Sequence, residues 1–206
     1  MVPNWCENEL RVKGNRETLR SFRLFAEGDF GSRCLLDFNQ FVPYPEKFLK
    51  LDRIARDLEE NGHALKQLPM VENRDNLPIR VKDGYNQGGF EWCAANWGTA
   101  RNAWLTRLDE SDNQLLYHFI TAWSPPEPVV LAMSQRYPTL TLDLRYQERG
   151  NCFQGIFRAR NGQILRDEYW EIWDFDRTIK WFREEDDVVA GEDCTVQCAL
   201  ERDRRT

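Results

Sequence analysis

An α+β fold follows from three observations in this 206-residue sequence. The chain opens on strand-like alternation, passes at once into a stretch with helical spacing, and ends in closely spaced strands around one strongly signalled helix. Hydrophobic residues make up 41% and charged residues 30%, so the chain can bury a core without a disulfide or metal staple.

The first strand spans residues 7–13, where Asn8, Leu10 and Val12 alternate with Glu7, Glu9, Arg11 and Lys13. A helix over 16–27 carries Leu19, Phe22, Phe25 and Ala26 on one side, with Gly28 as its stop. A second strand is expected over 34–42, broken by Pro43-Tyr44-Pro45. Phe48, Leu51, Ile54, Ala55 and Leu58 then predict a helix over 46–60, closed by Asn61-Gly62. Residues 69–89 are polar and turn-rich and read as an insertion.

A hairpin follows, its first strand within 91–108, its turn at 109–113 and its second strand over 114–123. Both faces of that second strand are largely apolar, which predicts a central position in the sheet. Ser124-Pro125-Pro126-Glu127 reads as a capping box, Ser124 at the N-cap and Glu127 three residues on, opening a helix to about Arg136. Strands over 139–146, 152–160 and 163–173 close the pattern, the last two joined by Asn161-Gly162. A short charged helix is expected over 176–187.

Without the insertion the order is βαββαβ, the split arrangement of ferredoxin-like folds. The expected architecture is an antiparallel sheet with helices on one face. A helical insertion at about 43–90 follows the second strand, and a β-hairpin extends the C-terminal end. Residues 3–175 form one domain in this reading, and 176–206 a charged extension.

Net charge is −6 and the isoelectric point is near 5.1, which opposes nonspecific binding to duplex DNA. The N-terminus lacks a basic region followed by an apolar run, and no stretch reaches the roughly 18 apolar residues of a membrane span. A soluble cytoplasmic protein with reduced thiols and no membrane contact is expected.

Motifs for chemistry are missing from the pattern. Cys194 and Cys198 are the only close cysteine pair, and zinc needs two such pairs, so no metal is expected. His118 sits between Tyr117 and Phe119 and reads as a satisfied strand residue rather than a base. No nucleophile elbow is present, and Gly84 to Gly89 lacks the Lys-Ser/Thr ending and the following helix of a phosphate loop. The expectation is a protein that is not an enzyme and holds no cofactor.

What remains is surface. Tyr169, Trp170 and Trp173 interleave with Asp167, Glu168, Glu171 and Asp174, a pattern that fits either a solvated acidic face or a protein-binding one. Trp97, Thr99, Arg101 and Trp104, with Arg107, Arg145, Arg149, Arg158 and Arg160, could instead stack bases and meet phosphates. The candidate interaction surface is therefore Trp97, Thr99, Arg101, Trp104, Tyr169, Trp170 and Trp173. Buried packing is the bland alternative for every tryptophan among them.

Four ordered segments resemble one known family. They are Pro3-Asn4-Trp5-Cys6-Glu7-Asn8-Glu9-Leu10, Asn96-Trp97-Gly98-Thr99, Thr121-Ala122-Trp123-Ser124-Pro125-Pro126, and Tyr146-Gln147-Glu148-Arg149-Gly150 with Phe153-Gln154-Gly155. Together they resemble the YubB-like family of phage and plasmid proteins over about residues 3–160. Val2 is an extra residue before the family's opening, and Ala100, Arg101 and Asn102 stand where the family tends to show Lys-Trp-Asp. The resemblance implies a ferredoxin-like domain in a mobile-element setting and supplies no catalytic residues. The resulting expectation is a noncatalytic protein that binds a host or element protein, with counter-defence as one such role. Single-stranded nucleic-acid binding is the alternative.

Overall fold

The computed structural model describes residues 3–28, 34–60, 70–72, 78–80 and 83–173. Strand β1 (Trp5–Lys13) buries Cys6, Asn8, Leu10 and Val12 on one face, as alternation requires. Helix α1 (Arg16–Ala26) starts at Asn15, whose side chain accepts from the Thr18 amide at 2.9 Å. It turns Leu19, Phe22 and Ala26 inward.

The expected strand over 34–42 is not formed. That stretch holds a four-residue helix, α2 (Phe38–Phe41). Asp37 causes the difference: its carboxylate accepts from the Asn39 amide at 2.9 Å and so favours a helical start over a ladder. Phe38 is fully buried between Trp97 and Phe119. Helix α3 (Glu46–Glu60) follows with the bounds the spacing predicts. Its expected stop, Asn61-Gly62, lies outside the described residues. Two three-residue strands, β2 (Met70–Glu72) and β3 (Pro78–Arg80), pair antiparallel.

A 3-10 turn (Tyr85–Gln87) leads into α4 (Gly89–Trp97). The window 91–108, expected to contain the hairpin's first strand, is therefore helical over 91–97. Gly88 and Gly98 bracket the segment with φ of 110° and 83°, values that favour glycine and punctuate a helix at both ends. The hairpin starts only at β4 (Trp104–Glu110) and continues as β5 (Gln114–Ala122).

Helix α5 (Glu127–Arg136) has Pro126 at its N-cap, with no side-chain cap bond. Ser124 is not the cap; its hydroxyl is engaged elsewhere. Strands β6 (Thr141–Glu148), β7 (Phe153–Arg160) and β8 (Gln163–Glu171) complete the described chain. Asn161 and Gly162 take φ of 50° and 69°, matching a tight hairpin turn. The charged helix and extension expected over 176–206 lie outside the described residues.

Six strands form one antiparallel sheet in the order β4-β5-β1-β6-β7-β8. β1 is central: Leu10 faces Tyr117 of β5 on one side and Leu144 of β6 on the other. The inward residues of these strands share one core with Leu19 and Phe22 of α1 and Val129, Val130 and Met133 of α5. The opposite face carries charge. Asp143, only 4% exposed, accepts from Nε of Arg158 at 2.8 Å and from its Nη2, with Arg11 at 3.9 Å. No described helix is long and apolar enough to cross a membrane.

Candidate functional site

The seven residues nominated by sequence do not form one surface. Trp97 is buried, its indole N–H donating to the Val42 carbonyl at 2.8 Å. Thr99 is fully buried and donates to the Ala122 carbonyl at 2.9 Å. Trp170 is buried on β8. The exposed four divide between the two edges of the sheet, Arg101 and Trp104 at β4, Tyr169 and Trp173 at β8.

At the β4 edge Trp104 is 54% exposed and lies against Trp5, ring centroids 5.0 Å apart. The ladder shifts register between Trp104 and Arg107, and Leu105 within that bulge has φ of 52° and is 67% exposed. A bulge re-aims side chains, and a left-handed leucine is a strained conformation the surroundings must hold. Nearby, the Arg101 guanidinium sits 5.7 Å from the Tyr85 ring, and Tyr85, Phe90 and Trp123 continue the aromatic contact edge to face.

At the β8 edge Tyr169 and Trp173 are each 62% exposed. Tyr169 leans on Phe153 at 5.6 Å. Asp167 and Glu171 are exposed and, by alternation, share Tyr169's side of the strand. Glu127 of α5 adds to this corner. Burial raises its carboxyl above the ordinary range, a Tyr146 hydrogen bond works against that, and the Asp167 charge raises it further. Aromatic surface here is set among negative charge.

Three described side chains of types used in catalysis, His118, Cys6 and Cys93, are held or buried. His118 is clamped, Nδ1 at 3.1 Å from Glu9 and Nε2 at 3.0 Å from Asp109, while Arg107 holds Asp109 at 3.2 Å. Burial pushes the Cys6 thiol far up, and burial with the Asp52 charge pushes Cys93 up to about 12, the wrong direction for nucleophiles. Among the described residues no three His, Cys, Asp or Glu side chains gather in a way that could hold a metal. Cys194 and Cys198 lie outside those residues. A helix does follow Gly84 to Gly89, contrary to the sequence reading, but the glycines serve contact: a Cβ on Gly84 would strike the Phe48 backbone.

Sequence reasoning missed a cleft of about 550 Å³, lined among others by Tyr44, Asp52, Tyr85, Trp97 and Arg101. These residues come from the turn before α3, α3 itself, the 3-10 turn, α4 and the connection to β4. Their meeting depends on α3 and the 3-10 turn packing beside α4, for which no local sequence signal exists.

The matched stretch of a known family begins where the hairpin does. Residues 103–194 match the family model described as the ferredoxin-like domain in Api92-like protein. The fold is similar to the crystal structure of a protein Api92 from Yersinia pseudotuberculosis, with TM-score 0.50 and 10% identity, covering 82% of this chain and 98% of that one. No curated protein matches. β1, which lies outside the matched stretch, fills the place between β5 and β6. Residues 103–194, with β4 to β8 among them, are thus similar to that ferredoxin-like domain over somewhat less than half of the chain.

Proposed function

We propose that this chain is a noncatalytic interaction protein of a mobile genetic element, docking a basic host or element protein on its β8 edge. The observation that carries this is the exposure of Tyr169 and Trp173 beside the exposed carboxylates of Asp167 and Glu171. Aromatics supply the buried anchor of an interface, and carboxylates around them select positive charge and speed encounter. β8 is an edge of the described sheet, so its outer backbone faces no described strand. The mobile-element setting rests on the YubB-like resemblance of the four motifs.

The same reading takes β1, α1, β4, β5, α5 and β6 as a βαββαβ core. Its support is the sheet order, in which β1 lies between β5 and β6 and β4 flanks β5. The segment holding α2, α3 and α4 is then an insertion between α1 and the second core strand, and β7–β8 an added hairpin.

The test uses the full chain as bait in host lysate, beside a Tyr169→Ala/Trp173→Ala double variant. A recovered basic protein, purified, is expected to bind at least about tenfold more weakly to the variant and to weaken as salt rises. A partner that binds both chains equally, or no salt-sensitive partner at micromolar bait, overturns the reading.

A second reading has its own observation. Trp104 packed at a tilt against Trp5, with Arg101 beside Tyr85, is an aromatic platform suited to single-stranded nucleic acid. The pairing of arginines weighs against it: Arg107 pairs with Asp109, Arg149 with Glu7 at 3.8 Å, and Arg158, farther along the sheet, with Asp143. Absence of a gel shift with single-stranded oligonucleotides at low salt removes this reading.

A further inference from the structure

The geometry points to a binding site for an organic cation, an ammonium or guanidinium group, in the cleft between α3, the 3-10 turn and α4. The site is separate from the β8 edge and does not depend on the function proposed for it.

The cleft's volume, about 550 Å³, lies in the range of small-molecule pockets, roughly 300–1,000 Å³. Its walls are aromatic. Tyr44 packs on Trp92 at 5.7 Å and on Trp97 at 6.1 Å, and Tyr85 closes the other side. Aromatic faces attract cations, the more so when water is excluded.

Its anionic groups are Asp37 and Asp52. Asp52 reaches in from α3. One of its oxygens accepts from the Tyr85 amide at 2.9 Å, which fixes the carboxylate in place. The Tyr44 hydroxyl hydrogen-bonds the same carboxylate and helps to hold it. Ammonium and guanidinium groups offer several N–H donors at once and suit a fixed carboxylate beside aromatic faces.

The field agrees with the geometry. Tyr44's ionisation is pushed up first by burial, then by the charge of Asp52 and the hydrogen bond to it. Cys93, buried in the same wall, feels Asp52 as well. Asp37, also in the lining, is already occupied, accepting from Asn102 Nδ2 at 2.6 Å. Arg101 is the one cation in the described lining. It sits at the rim over Tyr85, where it repels an entering positive charge.

Ammonium and guanidinium groups have two sources, a free small molecule or an arginine or lysine side chain of another protein. The experiment titrates the full chain with butylguanidinium, with its neutral isostere butylurea, and with a capped Gly-Arg-Gly peptide. The readout is the NMR signal of the Trp97 indole N–H. Butylguanidinium is expected to bind at least about tenfold more tightly than butylurea. Asp52→Asn keeps an acceptor for the Tyr85 amide and removes the charge, and it should abolish that preference. Arg101→Ala should tighten binding about threefold or more by removing the like charge at the rim. A tighter peptide assigns the cation to a protein side chain, and tighter butylguanidinium assigns it to a free ligand. Should Asp52→Asn fail to fold, Tyr85→Leu, which removes an aromatic face from the cleft, should weaken butylguanidinium severalfold and leave butylurea unchanged. Equal binding of cation and isostere, no indole shift up to about 20 mM, a range where even fragment-weak sites respond, or an Asp52→Asn chain that keeps the preference overturns the assignment.

Discussion

Ser124 donates its hydroxyl to the carbonyl of Gly98 at 2.6 Å, joining the end of α4 to the turn that leads into α5. Around that bond, Thr99 holds the Ala122 carbonyl, and Thr121 donates to the Ser124 carbonyl at 2.8 Å while accepting from Asn8 Nδ2 at 2.9 Å. Asn4 accepts from the Trp123 amide at 2.9 Å, and Glu148 accepts from the amides of Gly150 and Asn151 at 2.6 Å each. The segments 3–10, 96–99, 121–126 and 146–155 therefore meet at one end of the sheet as a polar junction, which specifies how the chain closes on itself.

Removing a member of this junction should lower stability. Ser124→Ala leaves the Gly98 carbonyl short of a donor and should cost about 1–2 kcal/mol. Gly98→Ala should cost more than about 2 kcal/mol, since its φ of 83° disfavours any Cβ. That Cβ would also press on Pro128 and stand 2.8 Å from the Pro125 carbonyl. Urea midpoints of the two variants provide the check. A Gly98→Ala midpoint equal to wild type would show that the junction yields.

Local signals wrote much of the fold into the sequence, and tertiary contacts wrote the rest. β1, α1, α3, β5, α5, β7 and β8 follow from periodicity and turn residues and lie within two residues of the expected bounds. The stretch at 34–42 failed because Asp37 and Phe38 answer to partners far along the chain: Asn102 binds the Asp37 carboxylate and accepts from the Phe38 amide. The hairpin's first strand, expected within 91–108, starts only at Trp104, because Gly88 and Gly98 bracket a helix over the earlier part of that window. Ser124 failed as a cap because Gly98 competes for its hydroxyl. Of the candidate site, the exposure of Trp104 and Tyr169 and the burial of Trp97 and Trp170 depend on which face each strand or helix turns inward. The cleft depends on three elements meeting, and spacing carries no record of that.

Asp143 should be the most sensitive charge on the outer sheet face. Asp143→Ala leaves the Arg158 and Arg11 guanidiniums facing each other across a nearly buried position. Loss of one partner of a buried pair costs about 3–5 kcal/mol, and the partial exposure of Arg158 places this case near 3. Arg158→Ala should cost less, because Arg11 still faces the carboxylate. Thermal unfolding of both variants tests the order. The reverse order would mean that Arg158 acts mainly through its packing.

Glu127 should make stability fall as pH rises. Its folded carboxyl holds its proton more tightly than the ordinary value of 4.5, chiefly through burial. That proton's contribution is fully present below the unfolded value and is lost as pH climbs through the folded one. At pH 7 the buried carboxylate is a burden, which Glu127→Gln removes while keeping an acceptor for Tyr146. The variant should unfold at higher urea than wild type at pH 7, and the difference should shrink toward pH 4. A gain that is the same at both pH values would trace it to packing instead of charge.

Thiol reactivity should separate the described cysteines by place. Cys93 is buried on the inner side of α4 with its ionisation pushed up to about 12, and Cys6 lies fully buried on β1 with its own pushed higher still. The thiolate is the reacting species, so at pH 8 the ionised fraction of Cys93 is about a thousandfold below that of an ordinary cysteine. Cys152 sits half-buried in the turn between β6 and β7, where a reagent can reach it. In a chain with Cys194 and Cys198 changed to serine, a disulfide reagent at pH 8 should modify Cys152 first. Cys34, raised by burial and then by Asp37, should follow more slowly. Cys6 and Cys93 should react only as fast as the protein unfolds, so their rates should rise together with urea. A Cys93 that reacts in the native protein as fast as Cys152 would mean that α4 opens locally, and with it the wall of the cleft that Cys93 helps to form.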